Sequence, residues 1–128
     1  MPLIYVSGPI THGHTGQNVR NGVLAADEIA QMGAATICPH LSHFYETLLG
    51  HGFGHEFWMN IDVNLIDRCD AVFRMEGYSP GGDAEVLHAQ ENGIPVIFNM
   101  DDMDSWITAW HYETAGETDG KSAKTTTR

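Results

Sequence analysis

The sequence predicts an α/β domain built on a small parallel sheet. Three observations lead there. Short apolar runs at Leu3–Val6, Ala35–Cys38, Asp70–Arg74 and Ile94–Phe98 read as buried strands. Segments of helical periodicity separate them along the whole chain, an alternation that calls for right-handed parallel crossovers. Glycine or proline marks most of the junctions.

The first strand, Leu3-Ile-Tyr-Val, ends at Ser7-Gly-Pro, and residues 8 to 16 form a loop rich in turn formers. From Gln17, apolar positions Val19, Val23, Ala26 and Ala30 recur at helical spacing, with Leu24 and Ile29 widening the stripe and Gly33 closing the helix. Ala35-Thr-Ile-Cys follows as a second strand, stopped by Pro39. His40 to Leu49 holds a short helix before the glycine-broken run Gly50 to Gly54. A firm helix spans about 55 to 68, with Phe57, Ile61 and Leu65 as its expected core stripe and Trp58 and Ile66 beside it. The third strand leads into a turn at Ser79, a helix of about three turns and the fourth strand. Residues 101 to 112 read as a last amphipathic helix carrying Trp106, Ile107 and Trp110. Residues 1–112 are therefore expected to form the domain, and the polar, aperiodic residues 113–128 a disordered tail. The expected architecture is a flavodoxin-like, Rossmann-like three-layer sandwich with a parallel sheet of four to five strands. In such sheets ligands bind at the carboxyl ends of the strands, near a switch in strand order. That rule gathers residues 8–16, 39–54 and 77–83 along one rim.

Bulk composition bounds the function classes. With 128 residues the chain holds one core. No run approaches the roughly 20 apolar residues of a membrane helix, and the N-terminus reads as a strand rather than a leader. Cys38 and Cys69 fall outside any C-x-x-C pattern, so free thiols and a cytoplasmic protein are expected. A net charge of −11 argues against duplex nucleic acid as partner, although a small nucleoside or nucleotide needs no basic patch. No phosphate-loop or dinucleotide fingerprint occurs, which leaves ATP and NAD chemistry without support. Cys38, His40 and His43, and His51 with His55, have spacings a zinc site uses, but there is no second cysteine pair and the loops are glycine-broken, so no metal is expected. His12 and His14 sit in the loop after the first strand, and a surface position accounts for both.

The informative stretch is Ser79-Pro-Gly-Gly-Asp-Ala-Glu85, a glycine-rich turn opening a helix. Glycines admit a ligand close to the backbone, and a helix N-terminus offers unpaired N–H groups and the positive end of a dipole. Capping also explains part of it: Ser79 is a natural N-cap, Pro80 suits the first helical position, and Asp83 is a plausible first-turn acid. Tyr5-Val-Ser-Gly-Pro on the first strand, Asp62, Cys69-Asp-Ala-Val on the third strand, and Ser79-x-Gly81-x-x-x-Glu85 together resemble the nucleoside 2-deoxyribosyltransferase superfamily, which includes nucleotide N-glycoside hydrolases. The resemblance covers roughly residues 3 to 99.

The resemblance implies that Glu85 is the nucleophile of a covalent glycosyl-enzyme intermediate, Asp62 the acid that contacts substrate and protonates the departing base, and Tyr5 the phenol that orients the nucleophile. It implies a substrate-binding rim of Gly8, Pro9, Ser79, Gly81, Gly82 and Asp83, with Ser79 and the N–H groups after it at the position that holds a 5′-phosphate in the hydrolase branch. It also implies a homo-oligomer and no cofactor; Phe57, Trp58 and the 102–112 helix are candidates for the contact between subunits and equally for the core. Physical chemistry gives the same division of labour. Breaking an N-glycosidic bond builds positive charge on the sugar while the base leaves with the electron pair, so one carboxylate must stay ionised and another group must supply a proton. Glu85 near a helix N-terminus suits the first role; Asp62, flanked at i−4 and i+4 by Trp58 and Ile66, suits the second. The Ser79 motif lacks the Thr of the D-x-G-T-x-x-E form common in transferases. Transfer of the deoxyribosyl group to another base is the reading taken; hydrolysis with water as acceptor, and a non-catalytic nucleotide-binding module on the same fold, stay open beside it.

Overall fold

The computed structural model describes residues 1–50 and 52–118. Four parallel strands, β1 (Leu3–Ser7), β2 (Ala35–Ile37), β3 (Ala71–Arg74) and β4 (Val96–Ile97), lie in the order β2-β1-β3-β4. Among the described residues five helices surround them: α1 (Thr15–Gln31), α2 (Ser42–Leu49), α3 (His55–Ile66), α4 (Pro80–Glu91) and α5 (Met100–Thr118), with a 3-10 turn at Pro39–Leu41 before α2. The α/β three-layer expectation is met, with four strands. The chain leaves β1 for β2 on one side and returns to β3 on the other, so the strand order switches between β1 and β3 and opens a crevice beyond their carboxyl ends. Among the described residues no helix is long and apolar enough to cross a membrane.

The pleat of β1 sorts its side chains into two layers. Ile4 and Val6 join Ala71 and Phe73 of β3 on the face covered by α1 and α5, where Ala25, Ala26, Ile29, Met103 and Ile107 complete the larger core. Tyr5 points the other way, with Val72, into a smaller core closed by Ile66 of α3 and Ala89 of α4. The catalytic candidates all belong to this second, thinner layer.

Several elements differ in detail from the sequence reading. The helix expected from Gln17 begins at Thr15, because the His14 side chain caps it: Gln17 N–H donates to His14 Nδ1 at 3.0 Å. Its buried stripe is Val19, Gly22, Ala25, Ala26 and Ile29, while Val23 and Leu24 are exposed. The α3 stripe is likewise rotated: Phe57 and Ile61 are exposed, and Asp62 and Ile66 are buried. The strand expected from Ile94 to Phe98 shrinks to Val96–Ile97, since Pro95 has no N–H for the ladder and contributes only its carbonyl, which accepts from Val72 N–H at 2.9 Å. The last helix runs six residues beyond Tyr112, to Thr118, so the first part of the expected tail is helical; residues 119–128 lie outside the described residues.

His40, one of the histidines with metal-like spacing, has another use. His40 is fully buried; its Nε2–H donates to Pro9 O at 3.1 Å and its Nδ1 faces the Cys38 thiol at 3.7 Å. Burial pushes the imidazole below its ordinary value, which keeps it neutral for these contacts. The ring sits over the bare Cα of Gly22. Among the described residues no three His, Cys, Asp or Glu side chains converge on a point that would hold a metal ion; His51 lies outside them.

Candidate active site

Glu85 enters the site because α4 buries an unusual face. Its inward positions are Gly82, Glu85 and Ala89, spaced i, i+3, i+7, while Leu87 is exposed. Two small residues on either side of a carboxylate bring the helix close to the sheet and place the acid over β1. There it meets both outward hydroxyls of that strand. Tyr5 Oη–H donates to Glu85 Oε2 at 2.7 Å, and Ser7 Oγ–H donates to Oε1 at 2.7 Å. All three side chains are buried. A carboxylate gripped on both oxygens by protein donors has a fixed plane, as a nucleophile requires.

Asp62 completes the group from α3. Its carboxyl is buried and interacts with both Glu85 and Tyr5. Burial, reinforced by the neighbouring Glu85 charge, pushes Asp62 up to about 7. Burial also raises Glu85, but the hydrogen bonds from Ser7, Tyr5 and Asp62 and the nearby Arg74 cation pull against it. A proton shared by the two acids therefore resides on Asp62, because Glu85 already accepts two hydroxyl donors. The Tyr5 phenol is held above its ordinary value by burial and by the same negative charges, so it remains a donor.

Both carboxyl groups line a cleft of about 330 Å³, within the range of small-molecule sites. The three loop segments predicted to share a rim do share it. Gly8, Ile10, Thr11 and His12 come from the loop after β1, Pro39, Ser42, Glu46 and Phe53 from the region around α2, and Ser79 to Gly82 from the start of α4. His55, Trp58 and Met59 of α3 close the remaining wall. Of the predicted substrate-binding residues, Gly8, Ser79, Gly81 and Gly82 line this cleft.

Pro9 and Asp83 are not among the lining residues. The Pro9 ring packs against Gly77, whose φ of +113° and close approach to Pro9 Cγ (2.9 Å from where a Cβ would sit) leave room for nothing larger. Asp83 turns instead to Arg74, whose Nη2–H donates to Oδ1 at 3.1 Å. Ser79 does cap α4: its Oγ accepts from Gly82 N–H at 2.9 Å. Gly8 is forced by packing as well as by the cleft, since a Cβ there would lie 2.8 Å from Met75 Cβ.

Sequence reasoning passed over Ser7, Arg74 and the wall of Phe53, His55, Trp58 and Met59. The signal for Ser7 was present, because a residue two along from Tyr5 on a strand must face the same side. The wall was hidden by the rotated α3 stripe. Trp58 lines the cleft and meets Tyr45 and Phe57 edge to face at 5.8 and 5.3 Å.

Residues 2–98 match the family described as a domain of unknown function, DUF4406. The chain belongs to that family. The DUF4406 chain is similar in structure to a 2-deoxyribosyltransferase from Bacillus psychrosaccharolyticus, with a TM-score of 0.53 and 17% identity over 73% of this chain and 69% of that one. This likeness bears out the resemblance carried by the motifs at the level of the fold. No curated protein matches the DUF4406 chain.

Proposed function

We propose that the protein cleaves the N-glycosidic bond of deoxynucleosides, or of their 5′-monophosphates, and transfers the deoxyribosyl group to another nucleobase. The observation that carries this reading is the buried cluster in which Tyr5 and Ser7 each hold one oxygen of Glu85 at 2.7 Å while Asp62 stands beside it in the same cleft. In the first step a Glu85 oxygen attacks C1′, the C1′–N bond breaks, and its electron pair departs with the base, which takes the Asp62 proton. In the second, a nitrogen of the incoming base attacks C1′, the ester to Glu85 breaks, and Asp62 recovers a proton from that base. Tyr5 and Ser7 hold the carboxylate plane through both steps. The similarity in fold to a 2-deoxyribosyltransferase supports the assignment.

Water in place of the second base makes the same site a hydrolase, the reading favoured by the missing Thr in Ser79-Pro-Gly-Gly-Asp-Ala-Glu85. Among the described residues no Lys or Arg lines the cleft, and Ser79 Oγ is engaged as the helix cap, which favours a nucleoside over its monophosphate. A second copy of the chain, seated on the exposed apolar side chains of α2 and α3 beside the cleft (Tyr45, Leu48, Leu49, Phe57, Ile61), would cover its mouth.

Incubation with deoxynucleosides and their monophosphates, with and without a free base, tests the proposal. Base exchange is expected; base release without exchange indicates the hydrolase. Glu85→Gln is expected to lower turnover by roughly 10³-fold or more while retaining the circular-dichroism spectrum of the wild type. Binding without turnover, the same in wild type and variant, would leave only a non-catalytic nucleotide-binding module.

A further inference from the structure

Among the described residues Arg74 is the cation that bears on the acid cluster, and the reaction steps above do not use it. It ends β3 on the same face as Val72, and only 7% of it is exposed. Its guanidinium reaches three acceptors on two segments. Nη1–H donates to Met75 O; Nη2–H donates to Gly77 O at 3.0 Å and to Asp83 Oδ1 at 3.1 Å. The first two acceptors belong to the turn that leads to the cleft-lining Ser79, and the third to the first turn of α4, two residues before Glu85. Gly82 lets the helix settle on the cation, because a Cβ there would lie 3.0 Å from Arg74 Cζ and Nε. A buried arginine at the end of a short strand is costly to desolvate, yet here it bolts a loop to a helix.

We propose that Arg74 is a positioning residue for the reaction: by tying the turn after β3 to the first turn of α4, it sets where Glu85 stands in the cleft. The inference rests on the reading of Glu85 as the nucleophile. Two effects follow from one side chain. The planar fork fixes geometry, since a lysine ammonium does not reproduce three hydrogen bonds in that arrangement. The charge opposes the effect of burial on Glu85, favouring its ionised form. Facing Glu85 from the other elements are Tyr5 and Ser7 on β1 and Asp62 on α3, none of them cationic. His12, Glu46 and His55 line the same cleft.

Arg74→Gln and Arg74→Lys separate the two effects. Glu85 is followed by carbon-13 carboxyl NMR titration, its signal assigned by its loss in Glu85→Gln, and turnover is followed with a deoxynucleoside and a free base. Arg74→Gln is expected to raise the Glu85 midpoint and to move the acid limb of the pH–rate profile toward higher pH with it. Arg74→Lys is expected to keep the wild-type midpoint and to lower kcat by about tenfold with little change in KM. An unchanged midpoint in folded Arg74→Gln, or wild-type kcat in Arg74→Lys, overturns the proposal. Should Arg74→Gln not fold, the kcat of Arg74→Lys decides. If the wild type turns over no nucleoside, the reading of Glu85 as nucleophile fails, while the titration still reports whether Arg74 acts on that carboxyl.

Discussion

Asp62 is a carboxylic acid that the fold keeps protonated to about 7, from an ordinary value of 3.8. Its linkage to stability has a definite sign. The folded state binds this proton more tightly than the unfolded chain, so the contribution of Asp62 is most favourable below about pH 4 and is lost as pH rises toward 7. Asp62→Asn removes the ionisable group without changing its size. The variant is expected to melt at a higher temperature than the wild type at about pH 8 and to lose that advantage toward about pH 4. Its turnover is expected to fall by roughly 10²-fold, because an amide cannot hand a proton to the departing base. Thermal melts and initial rates across that range check both. A melting difference independent of pH would place the proton elsewhere. The acid pair was legible in the sequence, since Glu85 begins a helix behind a glycine-rich turn and Asp62 sits among apolar neighbours. The Ser7 hydroxyl was not read as part of it, because a serine before Gly-Pro looks like a strand end, and only the partner helix shows that its oxygen is used.

At the scale of single elements, the sequence revealed where helices lie better than which way they face. The stripes expected from apolar periodicity, Val19, Val23, Ala26 and Ala30 in α1 and Phe57, Ile61 and Leu65 in α3, are both rotated in the structure. In α1 the reason is distance: Gly22, Ala25 and Ala26 let the helix approach the sheet and leave space for the His40 ring. In α3 the reason is chemistry, because the inward position is taken by Asp62 while Ile61 next to it faces outward. Periodicity weighs residues by hydrophobicity and so misreads any helix whose buried face is small or charged. Gly22 makes this testable. A Cβ at that position would stand 2.3 Å from His40 Cγ, so Gly22→Ala must displace a buried ring that also donates to Pro9 O. The gain in helix propensity is outweighed, and a loss of about 1–3 kcal/mol is expected in chemical denaturation. A variant as stable as the wild type would show that the ring relocates freely.

For the whole molecule, the parallel sheet and its switch between β1 and β3 followed from the alternation of strand and helix, and that switch gathers three loops into one cleft. What alternation does not give is the surface left over. Leu48 and Leu49 on α2 and Phe57 and Ile61 on α3 are exposed apolar side chains, and the proposed second copy would bury them. Light scattering is expected to give a mass of at least two chains, and Leu48→Glu to shift the population toward one. A single-chain mass for the wild type at all concentrations would remove the oligomer. On α5, Met103 and Ile107 are committed to the core beneath it.

The alternation within β1 carries one more consequence. Ile4 and Val6 serve the larger hydrophobic layer while Tyr5 and Ser7 serve the acid pair, so five residues of backbone encode two unrelated jobs in interleaved positions. Inserting or deleting a single residue in this strand would exchange the two sets, sending hydroxyls into grease and aliphatic carbons toward Glu85. Point changes at either set leave the other in place. A shift of frame spares neither, so a change of length in this strand is expected to disturb the core and the acid pair together, where a substitution disturbs one of them.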